Sequence, residues 1–282
     1  MTSKAEYPVT LLRPPRNWMP LNLRDLWLYR ELVYFLTWRD IKVRYKQAVL
    51  GVSWAILQPV LTMVVFTIIF GRLANLKPDA GMPQSWYPIF IVAALLPMQL
   101  FQGALTRSSI SLVGNANLLT KVYFPRLIIP FSAVAAGVVD FFFAFLVLAG
   151  LMIYFHVPLT LNVLWLPLLV LLALITALSV GLWLSALNVQ YRDVQQMVPF
   201  LAQVWMYASP VVYSTGLITS AKWQLVYALN PMVGVIQGFR WALLGGAPPG
   251  PLMAVSTAVV IVLLVSGLYY FRHMERYFAD LV

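Results

Sequence analysis

The sequence has no cysteine and only two histidines, nine acidic residues and 10% charged residues in all. Without cysteine there is no disulfide, no thiol nucleophile and no thiolate metal site, and the redox compartment is left open. His156 and His273 stand far apart in the chain and make no metal pair. No H-E-x-x-H occurs, and no lysine follows a glycine anywhere, so the G-x-x-x-x-G-K-[ST] phosphate loop is excluded and ATP cannot be bound by that route. Of the acids only Asp140 falls inside a long apolar stretch, so the clustered carboxylates of a membrane hydrolase or glycosyltransferase are missing. Soluble domains carry roughly 25% charged residues. A chain this poor in charge cannot clothe a water-facing surface, and lipid is its expected solvent. The first residues are broken by Pro8, Pro14 and Pro15 and hold no apolar core of a secretory signal, so entry into the membrane is expected through the first true span.

What is present is apolar: 61% of the 282 residues, with ten Trp and fourteen Tyr of the kind that gather at membrane interfaces. A helix needs about 20 apolar residues to cross a bilayer core. Gly51–Phe70, Pro88–Val113, Leu127–Phe155, Val163–Leu187 and Pro251–Phe271 meet this, and Val198–Tyr213, flanked by Pro199 and Pro210 and beginning near Val194, is a shorter sixth. Leu26–Trp38 is apolar but too short and interrupted by Arg30 and Glu31. It reads either as a helix lying in the membrane interface or as one packed wholly on protein. Gln224–Leu244 is broken by Asn230-Pro231, Gly234, Gln237-Gly238 and Arg240, which favours a re-entrant pair of short helices over a seventh span, because irregular backbone at membrane depth must be buried in protein or line a cavity.

The formal net charge is +10. Its distribution favours topology and anionic headgroups over nucleic acid. With six spans and the N-terminus inside, fifteen Lys/Arg lie in inside segments, counting Arg107, Lys121 and Arg126 as one loop, and four lie outside. The expected fold is therefore all-α: six transmembrane helices, an N-terminal interfacial helix, and re-entrant gate helices between spans five and six. The expected divisions are 1–49, 50–272 and 273–282, with both termini cytoplasmic. Asp140, a lone acid with no intramembrane basic partner in this reading, is either a pathway or gating residue or a structural acid bonded to a neighbouring helix. Trp86, Tyr87, Trp205, Tyr207, Tyr213, Trp223 and Tyr227 map to the outer half, either as an interfacial belt or as the lining of a passage in which flat rings meet sugar rings.

The string RDIKVRYKQAVLGVSWAILQP, from Arg39 to Pro59, resembles the entry segment of the type-2 ABC exporter permeases that move O-antigen, capsule and teichoic acid. KVYFPR (Lys121–Arg126), LNVQYRDV (Leu187–Val194), LNPMVGVIQGFRWALLG (Leu229–Gly245) and MERYFAD (Met274–Asp280) follow in the family's order, so the resemblance covers nearly the whole chain. It implies a homodimer with a channel at the subunit interface, and two copies of a separate ATP-binding subunit that carries ATP and Mg. No cofactor is expected in this chain itself. It implies a lipid-linked glycan as cargo, a drug or another lipid being the alternative, in a bacterial inner membrane. Arg39, Asp40, Arg44, Tyr45, Lys46, Asn117, Lys121 and Arg126 would meet the ATPase subunit, with Asn115–Arg126 as a coupling helix. Asp140, Trp86, Tyr87, Trp205, Tyr207, Tyr213, Asn230, Pro231 and Arg240 would line or gate the channel. A membrane enzyme or a secondary transporter acting alone is the third reading, and the scarcity of intramembrane charge weighs against it.

Overall fold

The computed structural model describes residues 27–46, 51–79, 81–218, 220–246 and 248–278, and among them only helices and their connections occur. A peripheral helix α1 (Arg30–Lys46) precedes the bundle. It extends past the interfacial helix expected at Leu26–Trp38, of which Leu26 lies outside the described residues. Only one edge of it is packed: Leu36 is buried and Leu32 and Val33 lean on the same cluster, while Tyr34, Phe35 and Trp38 stay exposed. That division suits a helix resting on protein along one edge with aromatic rings left for an interface.

The first apolar helix, α2 (Gly51–Phe66), contains Pro59 and runs on as a π-helical turn over Thr67–Leu73. Beside it stands α3 (Tyr87–Gly114). The contrast between them sets the architecture: 78% of the α3 apolar window is buried inside the protein, against 11% for α2. The bundle is thus organised around α3, with α2 on its flank. A short α4 (Ala116–Lys121) turns the chain at the end of α3.

The next span is divided into α5 (Ile128–Ala135) and α6 (Gly137–Tyr154). The division coincides with an intruding side chain: Arg107 Nε of α3 donates to the Ala133 carbonyl at 3.4 Å, next to the ladder position that Gly137 N–H would serve. Long α7 (Leu166–Gln190) packs along α3, and α8 (Val194–Tyr207) follows, with Pro199 inside it.

The broken segment is a pair of short helices, α9 (Ala221–Ala228) and α10 (Pro231–Leu244), before the last span α11 (Pro251–Glu275). Local chemistry dictates the break. Asn230 caps α10, its side chain accepting from Met232 N–H at 3.1 Å, and Pro231 takes the first helical position, where no N–H is needed. Gly245 closes α10 with a left-handed φ of 69°, a conformation that costs glycine nothing. Nearly all of α10 is buried, held between α7 and α11 by small residues. A Cβ on Gly238 would come within 2.5 Å of Leu169, and one on Gly234 within 2.8 Å of Ser256.

Among the described residues, five helical stretches are long and apolar enough to cross a membrane: Ser53–Leu73, Gln84–Gly114, Ile128–Tyr154, Leu161–Gln190 and Pro251–Glu275. At 14 residues, α8 is shorter than these. The core divides into a large cluster around α3, α7 and α10 and a smaller one that gathers Leu36, Leu119, Phe124, Ile128, Phe271 and Phe278 at one end. That end holds α1, α4 and the chain's tail and is rich in Lys and Arg. It is the basic end, and the α9–α10 end, where gate helices were expected, is labelled the gate end for that expectation alone.

Candidate functional site

At the basic end, charged side chains tie separate elements together. Arg39 donates through Nε and Nη2 to its neighbour Asp40 at 3.0 and 2.8 Å, and through Nη2 to Asn115 Oδ1 at 2.8 Å, which pins α1 to the corner between α3 and α4. Asn115 in turn donates to the Ser111 carbonyl at 2.8 Å. Arg126 donates to the Glu275 carbonyl and lies over the Phe278 ring, and Glu275 also pairs with Arg272 at 2.8 Å. The loop after α4 is thereby clamped to the tail.

The eight residues expected to meet a partner therefore divide. Lys46, Asn117 and Lys121 are exposed, while Arg39, Asp40, Arg44, Tyr45 and Arg126 are engaged within the chain. Val122 and Tyr123, inside the expected coupling segment but not named among its eight contact residues, form an exposed apolar tip beside Lys121, Tyr123 being 81% exposed.

Deeper in, Asp140 is not the lone acid expected. Arg44 of α1 and Arg107 of α3 both donate to Asp140 Oδ2, Arg107 at 3.2 Å, and the Tyr45 hydroxyl donates to Oδ1 at 2.5 Å. Arg107 belongs inside α3 rather than in a loop, which also corrects its place in the count of inside charges. The reason is physical. A carboxylate within a span is costly unless paired, and the only other charged side chain in the expected spans is Arg107, so the two find each other across the α3–α6 contact. That signal was present in the sequence. Burial and the hydrogen bond to Asp140 push the Tyr45 phenol up to about 12, so it remains a donor.

These groups line an open cavity of about 630 Å³ between α1, α2, α3 and α6, to which Trp54, Gln58, Gln99 and Gln102 also contribute. Two guanidiniums face one carboxylate, so the cluster carries a net positive charge.

At the gate end the expected residues are brought together, but several frame the structure rather than face space. Arg240 is 3% exposed. It donates to the Val211 and Tyr213 carbonyls at 2.9 and 3.2 Å and lies 3.4 Å from the Phe90 ring centroid. Tyr87 is buried and donates to the Val212 carbonyl at 2.8 Å. Together they hold the non-helical turn after α8. Asn230 accepts from Trp205 Nε1 at 2.8 Å and donates to the Ala208 carbonyl and Ser209 Oγ at 3.1 and 3.0 Å. Trp205 also meets Phe101 edge-on, Tyr213 and Tyr227 share a hydroxyl contact of 2.5 Å, and Pro231 is buried. Tyr207 is exposed and Trp86 half-buried. A second, mostly apolar hollow of about 610 Å³ lies beside Trp223, Tyr227 and Asn230.

The sequence profile of the ABC-2 type transporter family matches residues 31–244. Over 263 residues the chain is 33% identical to the O-antigen export system permease protein RfbA of Myxococcus xanthus, covering 92% of this chain and 98% of that one. A protein of the same name from Klebsiella pneumoniae is 26% identical over 89% of this chain and 95% of its own. The polysialic acid transport protein KpsM of Escherichia coli is 26% identical over 84% and 91%.

Proposed function

Because this chain belongs to the ABC-2 type transporter family, we propose that it is the membrane-spanning permease subunit of an ATP-driven exporter of a lipid-linked polysaccharide, in a bacterial inner membrane with both termini cytoplasmic. The observation that carries the reading is the near full-length similarity to permeases named for O-antigen and polysialic acid. Those names favour a glycan over the drug alternative. ATP and its magnesium ion bind on a separate subunit, since this chain has no phosphate loop.

The geometry supports a division of labour. The basic end offers a docking face: Lys46, Asn117, Lys121 and the Val122–Tyr123 tip are exposed, and α1, α4 and the tail are cross-tied by Arg39–Asn115 and Arg126–Glu275. A push on α4 is therefore transmitted to α1 and to α3 together. The gate end offers a break in the backbone, held by Asn230, Tyr87 and Arg240, where α9 and α10 fold back into the bundle as gate helices. The uncovered apolar face of α2 leaves room for a second copy of the chain, with the passage between the two.

The test is charge reversal at Lys121 in cells that display the glycan. K121E inserts normally but lowers surface glycan several-fold and weakens co-purification of the ATP-binding subunit, and the purified chain hydrolyses ATP only when that subunit is present. Unchanged export and unchanged co-purification in K121E would remove α4 from the docking face. Intact surface glycan in a strain lacking the gene would remove the cargo assignment.

A further inference from the structure

The cavity at the basic end is larger than an ion pair needs. At about 630 Å³, and with liquid water occupying roughly 30 Å³ per molecule, it has room for a substantial headgroup. Its lining is mixed in chemistry. Charged and polar groups are supplied by Arg44, Arg107 and Tyr45, and apolar ones by Trp54, Leu96 and Phe141.

The guanidiniums are only partly used. Arg44 gives Asp140 one nitrogen, and Arg107 gives one to Asp140 and one to the Ala133 carbonyl. Among the described residues their remaining nitrogens bond to no protein atom, yet none of them is sealed from solvent. The Arg107 guanidinium is seated by two glycines: a Cβ on Gly103 would stand 3.0 Å from its Nη1, and one on Gly137 closer still to Nη2. A fork of N–H donors held in place beside open space is the arrangement that binds phosphoryl oxygens in pairs.

We propose that this cavity binds the phosphate end of an anionic amphiphile, with Arg44 and Arg107 taking its phosphoryl oxygens and Asp140 acting as the internal counter-ion with which the phosphate competes. The apolar part of the lining gives the site its preference for an amphiphile over free phosphate. Trp54, Leu96 and Phe141 have nothing to bind in inorganic phosphate. The cavity also borders α2, whose apolar surface is almost wholly uncovered in the single chain, so a chain attached to the phosphate can lie along the part of α2 that a second copy leaves open. The assignment rests on the export reading and deepens it, because it names where the carrier's charged end is held.

The experiment uses the full chain in nanodiscs of phosphatidylcholine, titrated with farnesyl diphosphate, inorganic pyrophosphate and farnesol. Farnesyl diphosphate should bind at least tenfold more tightly than pyrophosphate, and farnesol should not bind at this site. R44Q and R107Q should each weaken farnesyl diphosphate tenfold or more. If R107Q does not fold, R44Q, at the half-exposed end of α1, carries the test. D140N should bind the diphosphate several-fold more tightly, because the competing carboxylate is gone. A purely structural ion cluster predicts no such gain.

Equal affinity for pyrophosphate and farnesyl diphosphate would overturn the amphiphile. Unchanged binding in R44Q and R107Q, or weaker binding in a folded D140N, would overturn the site. The assay needs neither nucleotide nor glycan, so it can fail while export stands. Intact binding in a protein whose loss leaves surface glycan unchanged would undo the cargo reading instead.

Discussion

Replacing Asn230 tests whether the gate end is held by one side chain. Its oxygen caps α10 through Met232 N–H and accepts from Trp205 Nε1, and its amide nitrogen donates to the Ala208 carbonyl and to Ser209 Oγ. Loss of a helix cap costs about 1 kcal/mol, and side-chain hydrogen bonds between membrane helices average about 0.6 kcal/mol each. With one cap and three such bonds removed, N230A should lose about 3 kcal/mol. N230D keeps both acceptor roles and loses only the two donated bonds, so it should lose about 1 kcal/mol. Unfolding in mixed micelles with rising dodecyl sulfate reads both values, and amide hydrogen exchange at Met232 and Val233 reports whether the first turn of α10 frays. A loss in N230A below about 1 kcal/mol, or an N230D as unstable as N230A, would show that the α8–α10 junction is held by packing and not by this network.

Two further outcomes follow from the same coordinates. A Cβ on Gly267 would stand 2.6 Å from the Ser179 carbonyl oxygen, a backbone atom that cannot swing aside, whereas nothing lies within 4 Å of one on Gly150; G267A should therefore cost about 1–3 kcal/mol by forcing α11 from α7, and G150A should be neutral, both read by the same unfolding assay. The Tyr45 phenol, raised to about 12 by burial and then by its bond to Asp140, keeps its proton in the folded chain after the unfolded chain has lost it. Its contribution to stability is complete below about pH 10, the phenol's ordinary value, and falls as pH rises from there through the folded value. The phenolate absorbance lost in Y45F should be centred near pH 12, and a centre near pH 10 would show Tyr45 neither buried nor bonded to Asp140.

Much of this architecture was legible because local rules acted without competition. Asn230-Pro231 announced a helix start inside an apolar stretch, and α9 and α10 divide there. The basic run from Arg39 lies in α1 beside the bundle, and the KVYFPR segment starts at the last residue of the six-residue α4. The π-helical turn at Thr67–Leu73 has no mark in the sequence pattern, and the division at Ala136 was not legible because it coincides with what a neighbouring helix inserts.

The deeper limit is one of contrast. In water, hydropathy separates inside from outside. In a bilayer, lipid tails are as apolar as leucine, so α2 and α3 read almost alike along the chain, with window hydropathies of 2.0 and 1.8, although one is covered by protein and the other is not. Within such spans only the few polar side chains can report which face meets protein, and here they do. Arg107 finds Asp140, Asn188 donates to the Ser109 carbonyl at 3.0 Å, and Ser256 donates to the Ala228 carbonyl at 2.9 Å. Arg240 is the instructive case. In the sequence it broke an apolar stretch, and the resemblance made it a candidate to line or gate a channel. Its burial and its bonds to the Val211 and Tyr213 carbonyls make it the peg on which the turn after α8 hangs. An arginine inside an apolar helix is thus better read by asking which backbone carbonyls lack a donor nearby than by asking what it could offer a substrate, and the helix-free stretch after Pro210 supplied that need.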